Sequence, residues 1–181
     1  MKDILVLRLG HRVPRDARIS THVALVARAF GARALYYTGT RDKEFESNFS
    51  KIVDRWGGEF KIFFIEHPFK WLDEMKAGGY TVIHLTMYGI NINDLLDRLV
   101  TLNKFIVIVG GEKVPRKYFE VSDYNIAIGH QPHSEVAALA IFLDRIYFGR
   151  ELDMQFPDAK HYIIGSKRGK YVVGDKNMLK I

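Results

Sequence analysis

Residues 125–145 read NIAIGHQPHSEVAALAIFLDR, and this stretch decides the fold. A short strand over 125–128 stops at Gly129. A polar loop carrying His130, Pro132 and His133 follows. A helix then runs from about residue 134 to 148 and is apolar almost all the way round. Loops between a buried strand and a buried helix leave backbone N–H groups free, and open α/β sheets bind ligands there. A second loop of this kind, Gly110-Gly111-Glu112-Lys113-Val114-Pro115, lies one strand upstream. Two such loops one strand apart predict a shared pocket.

Working outward, residues 4–9 are branched aliphatics interrupted only by Arg8, the pattern of a strand buried on both faces. Further strands are predicted over 34–38, 60–65, 80–85 and 105–109. Helices are predicted between them. One starts at a Ser20 or Thr21 cap and ends at residue 29. Others span 42–56, where Phe45, Phe49, Ile52, Val53 and Trp56 share a face, then 68–77 and 93–102. A short turn is expected near Tyr118. Six strands alternating with helices imply an α/β fold with a mostly parallel sheet covered on both faces. Beyond a boundary near 149–157, residues 161–165 and 170–173 flank Ser166-Lys167-Arg168-Gly169 and predict a β-hairpin. The expected division is residues 1–150 and an extension of 151–181.

Composition narrows the classes. The chain has 181 residues, 48% of them hydrophobic and 13% aromatic, which fits one folded core and argues against disorder. No stretch approaches the roughly 20 apolar residues of a membrane span. Residues 4–9 are too short for a signal peptide, so a cytoplasmic location is expected. There is no cysteine, which excludes disulfides and thiolate metal sites. The net charge of +6 permits an anionic partner such as RNA without demanding one.

The motifs exclude more than they assign. No Walker A motif is present, and Leu9-Gly10-His11-Arg12 stands where a dinucleotide-binding glycine motif would follow the first strand. Gly110-Gly111, taken alone, reads as a tight turn. His130 and His133 lack the third ligand that catalytic zinc sites use, so no metal is expected. Ser134, His133 and Glu135 are adjacent in sequence and point in different directions, and no nucleophile elbow accompanies them. Arg8, Arg12, Arg15 and Arg18 stand at and beyond the C-terminal end of the first strand. The planar fork of arginine suits phosphate, so this location favours anion contact over a merely solvated edge.

Two helices carry apolar residues on more than one side. In 133–148 the expected core face is Val136, Leu139, Ala140, Leu143 and Ile146 or Tyr147, with Ala137, Ala138, Ile141 and Phe142 opposite. In 21–30 the only charge beyond His22 is Arg28. Helices of this type need cover on both sides, and a second copy of the chain is the expected cover.

Four segments together carry a family resemblance. Residues 6–32 (VLRLGHRVPRDARISTHVALVARAFGA), 84–89 (HLTMYG), 109–115 (VGGEKVP) and 123–140 (DYNIAIGHQPHSEVAALA) resemble, in order, the archaeal tRNA cytidine 2′-O-methyltransferases. The resemblance implies a SPOUT fold with a C-terminal trefoil knot, S-adenosyl-L-methionine as cofactor, a homodimer, and methylation of the 2′-hydroxyl of cytidine 56 in the tRNA T loop. By motif it implies cofactor contacts at Leu85, at Gly110, Gly111, Glu112 and Lys113, and at Ile128, Gly129, His130, Gln131, Pro132, His133, Ser134 and Glu135. Glu112 would favour the cationic sulfonium. The family more often has asparagine where His130 stands. Related ribose methyltransferases place an Asn and an Arg in the first motif, where this chain has Arg18, Ile19 and Leu25. Arg18 is therefore taken as the catalytic arginine, His22 or His133 as proton acceptor, and Arg8, Arg12 and Arg15 as RNA contacts. Action on another RNA nucleotide, a non-catalytic RNA-binding module and a nucleotide- or nicotinamide-using enzyme are the competing classes.

Overall fold

The central strand, β1 (Asp3–His11), pairs in parallel with β2 (Ala34–Gly39) on one side and β5 (Lys104–Val109) on the other. Its aliphatic run Ile4-Leu5-Val6-Leu7 is fully buried, because both faces of a central strand are covered. This computed structural model describes residues 2–111, 113–174 and 178–180. Strands β3 (Lys61–Phe64), β4 (Thr81–Asn91) and β6 (Tyr124–Ala127) complete a six-stranded sheet in the order β3-β2-β1-β5-β4-β6, with every pair parallel.

Helices α1 (Ala17–Ala29), α2 (Lys43–Trp56), α4 (Ile92–Leu99) and α6 (Glu135–Tyr147) cover one face. Helices α3 (Pro68–Ala77) and α5 (Arg116–Val121) cover the other. Alternation along each strand assigns the sides: Ile83 and Leu85 pack toward α1 and α6, whereas Val82 packs toward α3 and α5. The sheet, its direction and its two helical layers agree with the sequence reading.

Several boundaries differ from that reading for physical reasons. Helix α1 begins a turn early, at Ala17, with Asp16 in the cap position. Ser20 does not cap it. Its hydroxyl is buried against His11 at 2.7 Å, and Thr21 bonds back to the Ala17 carbonyl at 2.8 Å. The turn expected near Tyr118 is a six-residue helix after Pro115. Helix α4 stops at Leu99, three residues short of the expected end. Strand β4 continues to Asn91, but its register with β6 breaks between Leu85 and Ile90, so residues 86–89 loop out. Gly89 permits the return, since a Cβ there would stand 2.4 Å from the Asn125 carbonyl oxygen.

In α6 the expected faces are partly exchanged. Ala138 and Phe142 are buried with Leu139, Leu143 and Ile146, while Val136 and Ala140 are half-buried. Only Ile141, of the expected outer residues, is exposed, at 45%. Phe142 meets Phe105 of β5 edge-on, and helix α1 packs along α6. Helix α1 in turn leaves Arg18, His22, Leu25 and Ala29 exposed at i, i+4, i+7 and i+11.

After α6, a 3₁₀ turn at Arg150–Asp153 leads to a three-stranded antiparallel sheet of β7 (His161–Ile164), β8 (Tyr171–Gly174) and β9 (Met178–Lys180). The expected hairpin is β7–β8, and β9 extends it. The approach to this sheet is pinned to the end of α2. Asp158 accepts from Gly58 N–H at 2.8 Å, Lys160 pairs with Asp54 at 2.6 Å, and Trp56 meets His161 edge-on. Buried Arg28 donates to the carbonyls of Trp56 and Gly57 at 2.5 and 2.6 Å and lies 4.4 Å from the Phe156 ring centre. Among the described residues, no helix is long and apolar enough to cross a membrane.

Candidate cofactor and RNA site

The C-terminal ends of β1, β4, β5 and β6 converge on a cavity of about 710 Å³. The loop after β5 contributes Gly110, Gly111 and Lys113, and that after β6 contributes Ile128, Gln131, Pro132, His133 and Ser134. Leu85 closes the floor from β4, and Glu135 opens α6. The two loops singled out in the sequence therefore do share one pocket. Glu112, the residue expected to favour the sulfonium, lies outside the described residues.

The loop after β6 is held by its own side chains. Ser134 caps α6 by accepting from Ala137 N–H at 3.2 Å. Both ring nitrogens of His133 face carbonyl oxygens, Nε2 that of Ile128 at 2.7 Å and Nδ1 that of Ser134 at 3.2 Å. The shorter contact, an Nε2–H donated to Ile128, latches the loop. His130 stands outside the cavity wall and donates from Nε2 to the Gly89 carbonyl at 3.1 Å, tying this loop to the 86–89 loop. Gly129, at φ +76°, turns the chain into the loop without lining the cavity. The glycine at 110 is required by close approach, because a Cβ there would stand 2.5 Å from the Val114 side chain.

The arginines divide into wall and rim. Arg8 is 2% exposed and bonds the Leu9 carbonyl. It also reaches Glu135 at 3.4 Å. Burial pushes its pKa down, partly offset by Glu135 and Asp16. Its Nε is buried with no hydrogen-bond partner among the described residues. Arg12 grips Asp16 with Nε at 2.7 Å and Nη2 at 3.3 Å. The Arg12 hydrogen bond holds the Asp16 carboxyl below the usual carboxylate range. Arg15 is exposed at the rim. Arg18 and His22, expected to be catalytic, are exposed on α1 and are not part of this chain's cavity wall.

A sequence model of the family described as "tRNA ribose 2'-O-methyltransferase, aTrm56" matches residues 56–173. The tRNA (cytidine(56)-2′-O)-methyltransferase of Staphylothermus marinus is 52% identical over 170 residues, covering 93% of this chain and 91% of that protein. Its counterpart from Methanocaldococcus jannaschii is 51% identical over 174 residues, covering 94% and 96%. The chain belongs to the tRNA (cytidine(56)-2′-O)-methyltransferase family.

Solved structures add the fold. The A. aeolicus TrmH/SpoU tRNA modifying enzyme superposes with a TM-score of 0.61 at 20% identity, covering 84% of this chain and 78% of that one. The SpoU methyltransferase AviRb from Streptomyces viridochromogenes, in complex with AdoMet, gives 0.58 at 14% identity, covering 83% and 59%. The chain thus shares the fold of these TrmH/SpoU proteins.

The sequence reading missed the α5 side of the cavity. His84, Val114 and Phe119 line it, together with Thr86, Met87 and Tyr88 from the loop in β4. Asp16 was also missed, although its spacing of four from Arg12 was a usable signal. Among the described residues no group of three or more His, Cys, Asp or Glu is placed to hold a metal ion.

Proposed function

We propose that the protein works as a homodimer that takes its methyl group from S-adenosyl-L-methionine, bound in the cavity at the C-terminal ends of β1, β4, β5 and β6. Its activity is that of its family: it methylates the 2′-hydroxyl of cytidine 56 in tRNA. The observation that carries the cofactor assignment is the meeting of the 110–115 and 128–135 loops in one cavity beside an arginine rim.

The residues present fit that cofactor. The volume lies within the roughly 300–1,000 Å³ typical of small-molecule sites. The glycines at 110 and 111 let the backbone approach an adenosine closely. Leu85, Ile128 and Val114 offer apolar contact. Gly111, Lys113, Gln131, Pro132 and Ser134 complete the proposed cradle, with Gly129 and His130 shaping its loop from behind. When bound, the sulfonium supplies an electrophilic methyl group.

The remaining work falls to the chain. Arg12 and Arg15 at the rim draw in the phosphate backbone. Arg8, paired with Glu135, lines the site, and its charge stabilises negative charge developing on the ribose oxygen. Holding that oxygen in line with the methyl–sulfur bond lowers the barrier further. The exposed α1 stripe of Arg18, His22 and Leu25, with Ile141 of α6, forms the proposed subunit contact. Across it Arg18 and His22 of one protomer serve the partner's cavity, with His22 as proton acceptor and His133 held as the loop latch. We assign residues 1–150 to the methyltransferase domain, with the trefoil knot in its C-terminal part, and 151–181 to the extension. A cytoplasmic site of action fits a tRNA substrate.

Incubation with labelled S-adenosyl-L-methionine and an unmodified tRNA transcript, followed by mapping of the methylated nucleotide, tests this reading. Label at the ribose of cytidine 56 is expected. Label elsewhere would assign another nucleotide, and tRNA binding without label would leave a non-catalytic module.

A further inference from the structure

His84 is a histidine whose protonation state is dictated by its neighbours. It is 1% exposed and sits between Ile83 and Leu85 on β4, so its ring points to the opposite face of the sheet from theirs. There it pairs in register with Asn125 of β6 and meets Phe119 of α5 edge-on, with ring centres 4.6 Å apart. The Asn125 amide N–H₂ donates to the Phe119 carbonyl at 2.9 Å, which turns the Asn125 Oδ1 toward His84. Oδ1 is an acceptor only, so His84 Nδ1, at 3.0 Å, carries the proton and donates it. Nε2 is left as a bare lone pair. It has no partner among the described residues, and the ring lines the cavity. Burial lowers the pKa of the ring, which keeps it neutral.

The position of this acceptor matters. Arg8 lies between Leu7 and Leu9 on β1 and turns to the α6 side, where it meets Glu135. The RNA-facing cations are thus on that side and at the rim. His84 faces the other side of the cavity, where Val114 and Phe119 share the wall. An apolar recess with one fixed, neutral acceptor suits the edge of a purine that carries an amino group. It does not suit a phosphate or a carboxylate, neither of which has a proton to donate.

We propose that His84 Nε2 accepts a hydrogen bond from the 6-amino group of the adenine of S-adenosyl-L-methionine, with Asn125 as the positioning residue that holds the ring in the accepting tautomer. This rests on the cofactor assignment above and adds a base-reading residue to it.

Calorimetry with S-adenosylhomocysteine and its counterpart lacking the 6-amino group tests the proposal. The wild-type protein should bind the deamino compound about ten-fold or more weakly, the effect of one buried, unmatched acceptor. His84→Leu should bind both compounds equally, at the weaker affinity. His84→Gln, which retains an acceptor, should recover part of the preference. Asn125→Leu, which frees the ring to change tautomer, should reduce it. Equal affinity of the wild type for the two compounds overturns the proposal, as does a preference that survives in His84→Leu. A His84-dependent loss with the 2′-deoxy or 3′-deoxy counterpart instead would reassign the contact to the ribose. If His84→Leu does not fold, His84→Phe supplies the same test beside the Phe119 edge, and the wild-type comparison stands alone. Failure of the wild type to bind S-adenosylhomocysteine at all would overturn the cofactor assignment itself.

Discussion

His11 Nε2 lies 3.2 Å from Asp42 Oδ2, joining the end of the first strand to the start of α2, with the histidine fully buried and the aspartate largely so. The other oxygen of Asp42 caps α2 by accepting from Phe45 N–H at 2.9 Å. The ring Nδ1 accepts from the Ser20 hydroxyl at 2.7 Å, and the ring stacks on Phe45. The three residue types match a hydrolytic triad, but Ser20 has no exposure and this cluster is structural. Asp42→Ala should lose both the cap and the histidine's acceptor, costing about 2–4 kcal/mol. Urea denaturation measures this. Asp42→Asn retains an acceptor for the cap and should cost less.

Arg28→Ala should cost about 2–4 kcal/mol, since it leaves the carbonyls of Trp56 and Gly57 without their donor and removes the partner of Phe156. The effect should be local before it is global. Limited proteolysis should cut between residues 150 and 160 of the variant at protease levels that leave the wild type intact.

Glu151 is buried, with neither carboxylate oxygen hydrogen-bonded among the described residues. Burial raises its pKa, and neighbouring Asp144 raises it further. A carboxyl with a raised folded-state pKa contributes its full stability below the unfolded value of about 4.3 and loses it as pH climbs through the folded value. Wild-type stability should therefore decline on the alkaline side of about pH 4.3. Glu151→Gln should flatten that decline and be the more stable protein at neutral pH. Midpoints of urea unfolding at stepped pH decide the matter, and a parallel fall in both proteins would remove Glu151 as the cause.

Arg15 is exposed at the cavity rim. Arg15→Ala should weaken tRNA binding at every sequence and reduce the slope of log affinity against log salt by about one. Its affinity for S-adenosylhomocysteine should not change. Filter binding across a salt series, paired with calorimetry, separates the two effects.

Leu25 is the apolar centre of the exposed α1 stripe. Leu25→Asp places a charge in the proposed subunit contact and should convert the dimer to monomer in light scattering. Methyl transfer should fall with it, because Arg18 and His22 lie on the same stripe. A monomeric wild type, or an active monomeric variant, would remove the shared-site arrangement.

The long apolar runs made most of the fold legible. Phe105 to Val109 and Ile4 to Leu7 are buried in the sheet centre, where a strand has no polar face to disguise it. Local competition hid the rest. Ser20 reads as a cap, yet its hydroxyl serves His11. Helix α5 has six residues, too few to show a helical period. At the cavity, glycine and proline marked both loops. His84 left no such mark, because a lone histidine in an aliphatic strand resembles a core residue and its partner Asn125 is 41 positions away. The wall position of Arg8 and the rim positions of Arg12 and Arg15 were equally invisible, since one arginine cluster in sequence straddles the end of β1, with Arg8 inside the strand and the other two in the loop beyond it.

The clasp between α2 and the 156–161 segment joins residues 100 positions apart at Gly58 and Asp158. Closing a loop of that length costs about 4 kcal/mol of chain entropy. Pairing of the sheet strands between these two points brings them together and offsets that cost. Trp56 stands in it, with the His161 ring 5.8 Å away. Its emission is consequently a native optical signal for closure of this clasp, distinct from that of Trp71, which packs at a tilt against Tyr36 near the sheet edge.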